Sequence, residues 1–206
     1  MKKASVVITA IAVISVIIII WGIADSTGND EEYIVAIEND RKSKDEFMKS
    51  NEGSPFKNSK EPFTGLKYFP PNSKYRISAD LEPIENRNMV VLQTSDNKEQ
   101  RYLEYAWATF SLDGVPCKLK ILEVIDNGPF RGTLFLAFAD QSSAIETYGA
   151  GRYLDVSKVP GAKSITLDFN LAYNPYCAYS DSFSCPFPPK ENILNVLIAA
   201  GEKLYH

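Results

Sequence analysis

The chain has 206 residues, 45% of them hydrophobic, with 22 Lys and Arg against 26 Asp and Glu, a net charge of −4 and a pI near 5.2. The basic residues are scattered, which argues against the clustered positive face of a nucleic-acid-binding protein. The one histidine is the last residue, His206, so a Ser-His-Asp triad, a Cys-His pair and a His-ligated zinc or haem site are excluded in their usual forms.

After Lys2 and Lys3, residues 4–24 (ASVVITAIAVISVIIIIWGIA) carry no charge, and only Ser5, Thr9 and Ser15 interrupt them with polar groups. As a helix this stretch is about 31 Å long, the thickness of a bilayer's hydrocarbon core. The two lysines predict a cytoplasmic N-terminus, and Trp21 falls at the outer interface. The segment therefore reads as a single-pass anchor in the cell membrane. Gly22-Ile23-Ala24 also suits a signal-peptide cleavage site, although the apolar run is longer than the usual signal-peptide core. Either reading puts the remaining chain outside the cytoplasm. That remainder has 20 basic and 26 acidic residues, net −6, which argues against its lying flat on anionic lipid.

Residues 25–31 read as a polar tether and residues 32–206 as one β-rich domain, long enough to bury a sizeable core. Asn29 followed by Glu32 has the spacing of a capping box, predicting a helix from that point. Ile34, Ile37, Arg41, Lys44 and Phe47/Met48 mark one face at helical spacing, apolar at its ends and charged in the middle, as in a surface helix. Five prolines between Ser50 and Asn88 predict an extended segment with short edge strands covering a sheet.

From Met89 the period changes to two. Asp113-Gly114 predicts a type I′ hairpin that pairs Leu112 with Val115, Phe110 with Cys117, Ala108 with Leu119 and Ala106 with Ile121. The opposite face then pairs Thr109 with Lys118 and Trp107 with Lys120. Residues 132–139 are apolar on both faces and read as a central strand. Ile165, Leu167 and Phe169 mark a half-buried strand. Leu194, Val196, Ile198 and Ala200 alternate as in a last strand, with a helix as the alternative. The expected fold is mainly β, with about eight antiparallel strands in a sandwich or partly open barrel and one N-terminal helix behind the transmembrane segment.

Residues suited to chemistry crowd into the last third, in ETYGAGRYLD (146–155), DFNLAYNPYCAYS (168–180) and CPFPPKENILNV (185–196). These segments, with GLKYFPP (65–71), resemble the bacterial and archaeal family catalogued as domain of unknown function 1684 over roughly residues 40 to 203. The resemblance implies no particular activity and supplies no catalytic residues. Gly149-Ala150-Gly151 lacks the third glycine and the βαβ setting of a dinucleotide fingerprint, and reads as a tight turn.

The ligand-binding candidates are Glu146, Tyr148, Arg152, Asp155, Asp168, Asn170, Asn174, Tyr176, Glu191 and Asn192. Three roles are open for the carboxylates Glu146, Asp155, Asp168 and Glu191. They can pin loops, they can act in pairs as in glycoside hydrolysis, or with Asn170 and Asn174 they can bind a hard cation. Tyr148, Tyr153, Tyr173, Tyr176 and Tyr179 suit the wall of a pocket for a sugar-like ligand, and equally the closure of a β-domain's ends. Cys177 and Cys185 are candidates for a disulfide in an exported domain, whereas Cys117 is expected to be an inert core thiol. Nothing in the sequence specifies a cofactor or metal. The expected function is binding of a small polar or sugar-like ligand at a Tyr-lined site. A structural or partner-binding module and a carboxylate-based hydrolase are the alternatives.

Overall fold

A computed structural model describes residues 30–57 and 63–206. The expected membrane segment, its tether and the capping residue Asn29 lie outside the described residues. Among those described, no helix is long and apolar enough to cross a membrane.

Helix α1 occupies residues 30–50. Its inward face is the one the spacing marks, with Ile37 and Met48 buried and Arg41 and Lys44 half-buried between them. The helix is held to the domain by polar contacts. Tyr33 Oη donates to both Asp168 carboxylate oxygens at 2.7 and 2.8 Å. Arg41 donates to Phe69 O at 2.8 Å and Asn170 O at 3.2 Å. The N–H of Leu66 donates to Asp45 Oδ1 at 3.3 Å.

The strands are β1 (Arg76–Pro83), β2 (Met89–Gln93), β3 (Glu99–Leu112), β4 (Val115–Val124), β5 (Leu134–Phe135), β6 (Ala137–Phe138), β7 (Arg152–Tyr153) and β8 (Ser164–Asp168). Six of them form an open antiparallel sheet in the order β5-β4-β3-β1-β8, with β2 also paired to β3. Strand β3 is long enough to hold two partners on one edge, β2 along its first part and β1 along its last. Strands β6 and β7 form a separate two-stranded ribbon. The sheets stay open, so the fold is neither a closed barrel nor two full facing sheets.

The β3–β4 hairpin has the register that its turn dictates, including all four apolar pairs and both pairs of the opposite face. Asp113 and Gly114 supply positive φ angles of 52° and 77°, as a type I′ turn requires. Lys118 and Lys120 lie 4.5 and 4.9 Å from the Trp107 ring centroid. Lys120 is nonetheless buried, because Glu104 and Glu191 each accept from it at 2.8 Å.

Three expectations change. Strand β1 arises within the Pro-rich segment and lies inside the sheet between β3 and β8, not at an edge. The prolines fall outside its hydrogen-bonded middle, with Pro83 as its last residue. Residues 132–139 form two short strands instead of one central strand, because β5 stays with β4 while β6 leaves to pair with β7.

The third change concerns the last segment. Leu194, Val196, Ile198 and Ala200 are all buried, as their alternation demands, yet they form no named strand. Their backbone is engaged elsewhere: Leu194 N–H donates to Ala139 O and Gln141 N–H to Val196 O, while the carbonyls of Ile198 and Ala200 accept from Arg152. This irregular segment packs with Leu136, Phe138, Leu154 and Phe169 over the apolar face of the sheet, in one core with Ala108, Leu119, Ile121 and Leu167.

Candidate functional site

An aromatic cleft of about 870 Å³ opens between α1, the start of β3 and the loops of the last third. Its helical wall includes Asp40, Ser43, Lys44 and Met48, and its opposite wall includes Tyr102, Phe135, Tyr153, Tyr173, Tyr176 and Phe183. The rings brace one another. Tyr102 stacks on Phe135 at 5.0 Å, Phe135 meets Tyr153 edge-on at 4.9 Å, and Tyr153 meets Tyr173 at 5.9 Å. Such contacts hold the rings in place beyond what burial alone achieves.

The polar groups of this wall are fixed. Tyr153 Oη donates to Pro186 O at 2.6 Å, which joins strand β7 to the loop before Asn192. Tyr173 Oη donates to Asp155 Oδ1 at 2.8 Å, and Lys44 Nζ stands 4.3 Å from the Tyr173 ring centroid. Burial, followed by the Asp155 charge and hydrogen bond, pushes the Tyr173 hydroxyl well above the usual tyrosine range. Tyr173 is therefore a donor at any physiological pH, and Asp155 is an exposed, oriented acceptor at the rim.

Behind the cleft lies a buried polar network. Glu202 is fully buried and accepts from Lys44 at 3.2 Å, from Asn174 Nδ2 at 2.9 Å, from the Asn174 N–H at 3.3 Å and from Tyr179 Oη. Arg152 is also buried, paired with Asp140 at 2.6 Å and donating to the carbonyls of Ile198, Ala200 and Glu202. Gly151 lets the chain before Arg152 pack closely: with φ at +91°, a Cβ there would lie 2.6 Å from Phe138 O and 2.7 Å from Pro188 Cγ. The Gly149-Ala150-Gly151 stretch is thus a packing turn.

The structure sorts the sequence candidates. Asp155 and Tyr176 line the cleft. Arg152, Asn170, Asn174 and Asn192 are all buried and committed to the scaffold. Asn170 bridges Asn72 N–H and O to Tyr33 and Asp168, and Asn192 joins both backbone groups of Lys120 to Ala137 O.

Each of the four carboxylates has its own partner, and of them only Asp155 lines the cleft. Glu146 pairs with Lys203 at 3.2 Å, Asp155 accepts from Tyr173, Asp168 from Tyr33, and Glu191 from Lys120. Tyr148 Oη lies 3.8 Å from Cys177 Sγ. Cys177 and Cys185 are brought together as free thiols, and Cys117 is buried in the core.

Sequence reasoning missed Lys44 as a wall residue and Glu202 as a buried acceptor. The signal for Glu202 was present: Leu194, Val196, Ile198 and Ala200 point inward, and one more step of that alternation reaches Glu202. A carboxylate on an inward-facing position needs buried donors.

The fold and cleft define a small open-sheet, antiparallel β domain with one docked helix and an aromatic groove between them. Residues 61–203 match the family described as protein of unknown function DUF1684, and the chain belongs to that family. It is similar to the solution NMR structure of an uncharacterized protein of Haloarcula marismortui, at 37% identity and a TM-score of 0.65, covering 86% of this chain and 98% of that one. No curated protein matches the chain.

Proposed function

We propose that the domain binds a small polar ligand with one flat apolar face, of which a sugar ring is the type, in the aromatic cleft. The observation that carries this reading is the wall of Tyr153, Tyr173 and Tyr176 beside Asp155, a carboxylate that Tyr173 orients. A pyranose offers a C–H face to such rings and hydroxyl donors to such a carboxylate. Binding without turnover fits the carboxylates better than hydrolysis does. A glycosidase needs two carboxyl groups flanking one substrate, whereas of Glu146, Asp155, Asp168 and Glu191 only Asp155 lines the cleft, and each of the four is engaged by a different partner.

In this proposal residues 4–24 anchor the domain to the cell membrane with the cleft outside the cytoplasm. The uncharged apolar run behind Lys2 and Lys3 supports it.

The test is calorimetric titration of the full chain, in a sugar-free zwitterionic detergent, with glucose, N-acetylglucosamine, cellobiose and maltotriose. Saturable binding of at least one sugar, lost in Tyr173→Ala, is expected. Heats of dilution alone across all four would sink the sugar-like class. Protease added to intact cells should degrade the domain, and its complete protection would refute the orientation.

A further inference from the structure

The turn Tyr176–Ala178 folds the chain back so that the Cys177 N–H donates to Cys185 Sγ at 3.2 Å. The two thiols are thereby neighbours although they lie eight positions apart in sequence. Their surroundings are firm: the Cys185 N–H donates to Ser95 Oγ at 3.2 Å, and the Ser95 N–H donates to Cys185 O at 2.9 Å. Their exposure is unequal. Cys185 is 7% exposed, whereas Cys177 is only half-buried and carries Tyr148 Oη 3.8 Å from its sulfur.

We propose that Cys177 and Cys185 form a thiol–disulfide exchange site for small organic disulfides, with Cys177 as the attacking thiolate and Cys185 as the resolving thiol. This does not depend on the sugar-binding reading. Cys177 is the more exposed residue of the two, and Cys185, which lines the cleft, is already adjacent to the mixed disulfide it must resolve. A nearby histidine is unnecessary, because the local donors do that work. The Cys185 thiol, then Tyr148 and Ser95, stabilise the Cys177 thiolate and draw its pKa down to about 6 against the opposing effect of burial. Cys185 is pushed up correspondingly, because it keeps the proton that the pair shares.

In the first step the Cys177 thiolate attacks one sulfur of RSSR, forming Cys177–S–SR and releasing RS⁻, which takes up a proton from water. In the second step Cys185 loses its proton, its sulfur attacks Cys177 Sγ, and the second RS⁻ leaves. Two protein thiols are oxidised to one disulfide while RSSR is reduced to two RSH.

The experiment uses the full chain in detergent, equilibrated with mixtures of reduced and oxidised glutathione, quenched by alkylation and read by intact mass and peptide mapping. The wild type should convert reversibly between three free thiols and one, with Cys117 alkylated in both forms after unfolding. Cys185→Ser should accumulate one glutathionyl group on Cys177. Cys177→Ser should accumulate at least tenfold less on Cys185 in the same time. Failure of the wild type to form the Cys177–Cys185 disulfide at any ratio would overturn the proposal, as would a disulfide that reduced glutathione and dithiothreitol cannot reopen. Equal glutathionylation of both single variants would overturn the assigned order. The wild-type equilibrium is decisive even if a variant fails to fold.

Discussion

Arg152 and Asp140 meet at 2.6 Å with side chains 1% and 0% exposed, so the arginine that the sequence offers as a binding residue is an internal brace. Its remaining donors reach the carbonyls of Ile198 and Ala200, which a neighbouring strand would otherwise satisfy. Removing one partner of a buried pair leaves an uncompensated charge and costs about 3–5 kcal/mol. Arg152→Met is expected to lower unfolding free energy by that amount in urea titrations. Arg152→Lys should recover only part of it, because an ammonium lacks the planar fork that spans several acceptors.

Tyr173 couples the ring wall to the rim carboxylate. Tyr173→Phe keeps the ring but frees Asp155, and Tyr173→Ala removes both. If a sugar binds, the phenylalanine variant should weaken it about tenfold and the alanine variant further, since a tenfold change corresponds to about 1.4 kcal/mol. Glu146→Gln, at a residue outside the cleft lining and partly solvated, should leave the calorimetric affinity unchanged.

The Lys120 cluster makes stability sensitive to acid. The Lys120 hydrogen bonds hold both Glu104 and Glu191 below the ordinary glutamate value of 4.5. A carboxylate depressed in the folded state contributes stability that is present above its unfolded pKa and is lost as pH falls through the folded value. Melting temperature should therefore hold from pH 7 to about 5 and fall steeply below 4.5. In Lys120→Met the fall attributable to these two groups should disappear, at the cost of a lower melting temperature at pH 7.

Two glycines with the same φ of +74° separate backbone strain from crowding. A Cβ on Gly201 would lie 2.6 Å from the carbonyl oxygens of both Ala172 and Phe169, whereas one on Gly161 would meet nothing within 4 Å. Gly161→Ala should cost about 1–2 kcal/mol, the left-handed penalty alone. Gly201→Ala should cost clearly more in the same denaturation assay, because those carbonyls belong to packed backbone.

The sequence was most legible where one local rule and one periodicity agreed. The Asp113-Gly114 turn and the alternation around it fix every pair of the β3–β4 hairpin. It was half legible at Leu194–Ala200, where alternation announces which side chains are buried but not what bonds the backbone. There the answer is a guanidinium more than forty residues away in sequence, and no local pattern encodes that.

The candidate site was legible as a region but not residue by residue. Asparagines and arginines look alike in a sequence whether they face a ligand or close a buried loop. Only the tertiary arrangement shows that Asn170, Asn174 and Asn192 do the latter. The tyrosine wall was read from the amphipathic character of its residues, but Lys44 and the helical wall were not, because a charge on a surface helix ordinarily points to water.

Helix α1 grips the domain at Tyr33, Ile37, Arg41, Lys44 and Met48, roughly once per turn along about 22 Å of axis. Tension applied along that axis loads all of these attachments together in shear, instead of peeling them off one at a time. The helix is thus built as a mechanical coupling. A pull from the N-terminal side passes through Asp168, Asn170 and Glu202 into the body of the domain, and the wall of the cleft that the helix supplies moves only if the whole row of attachments yields at once.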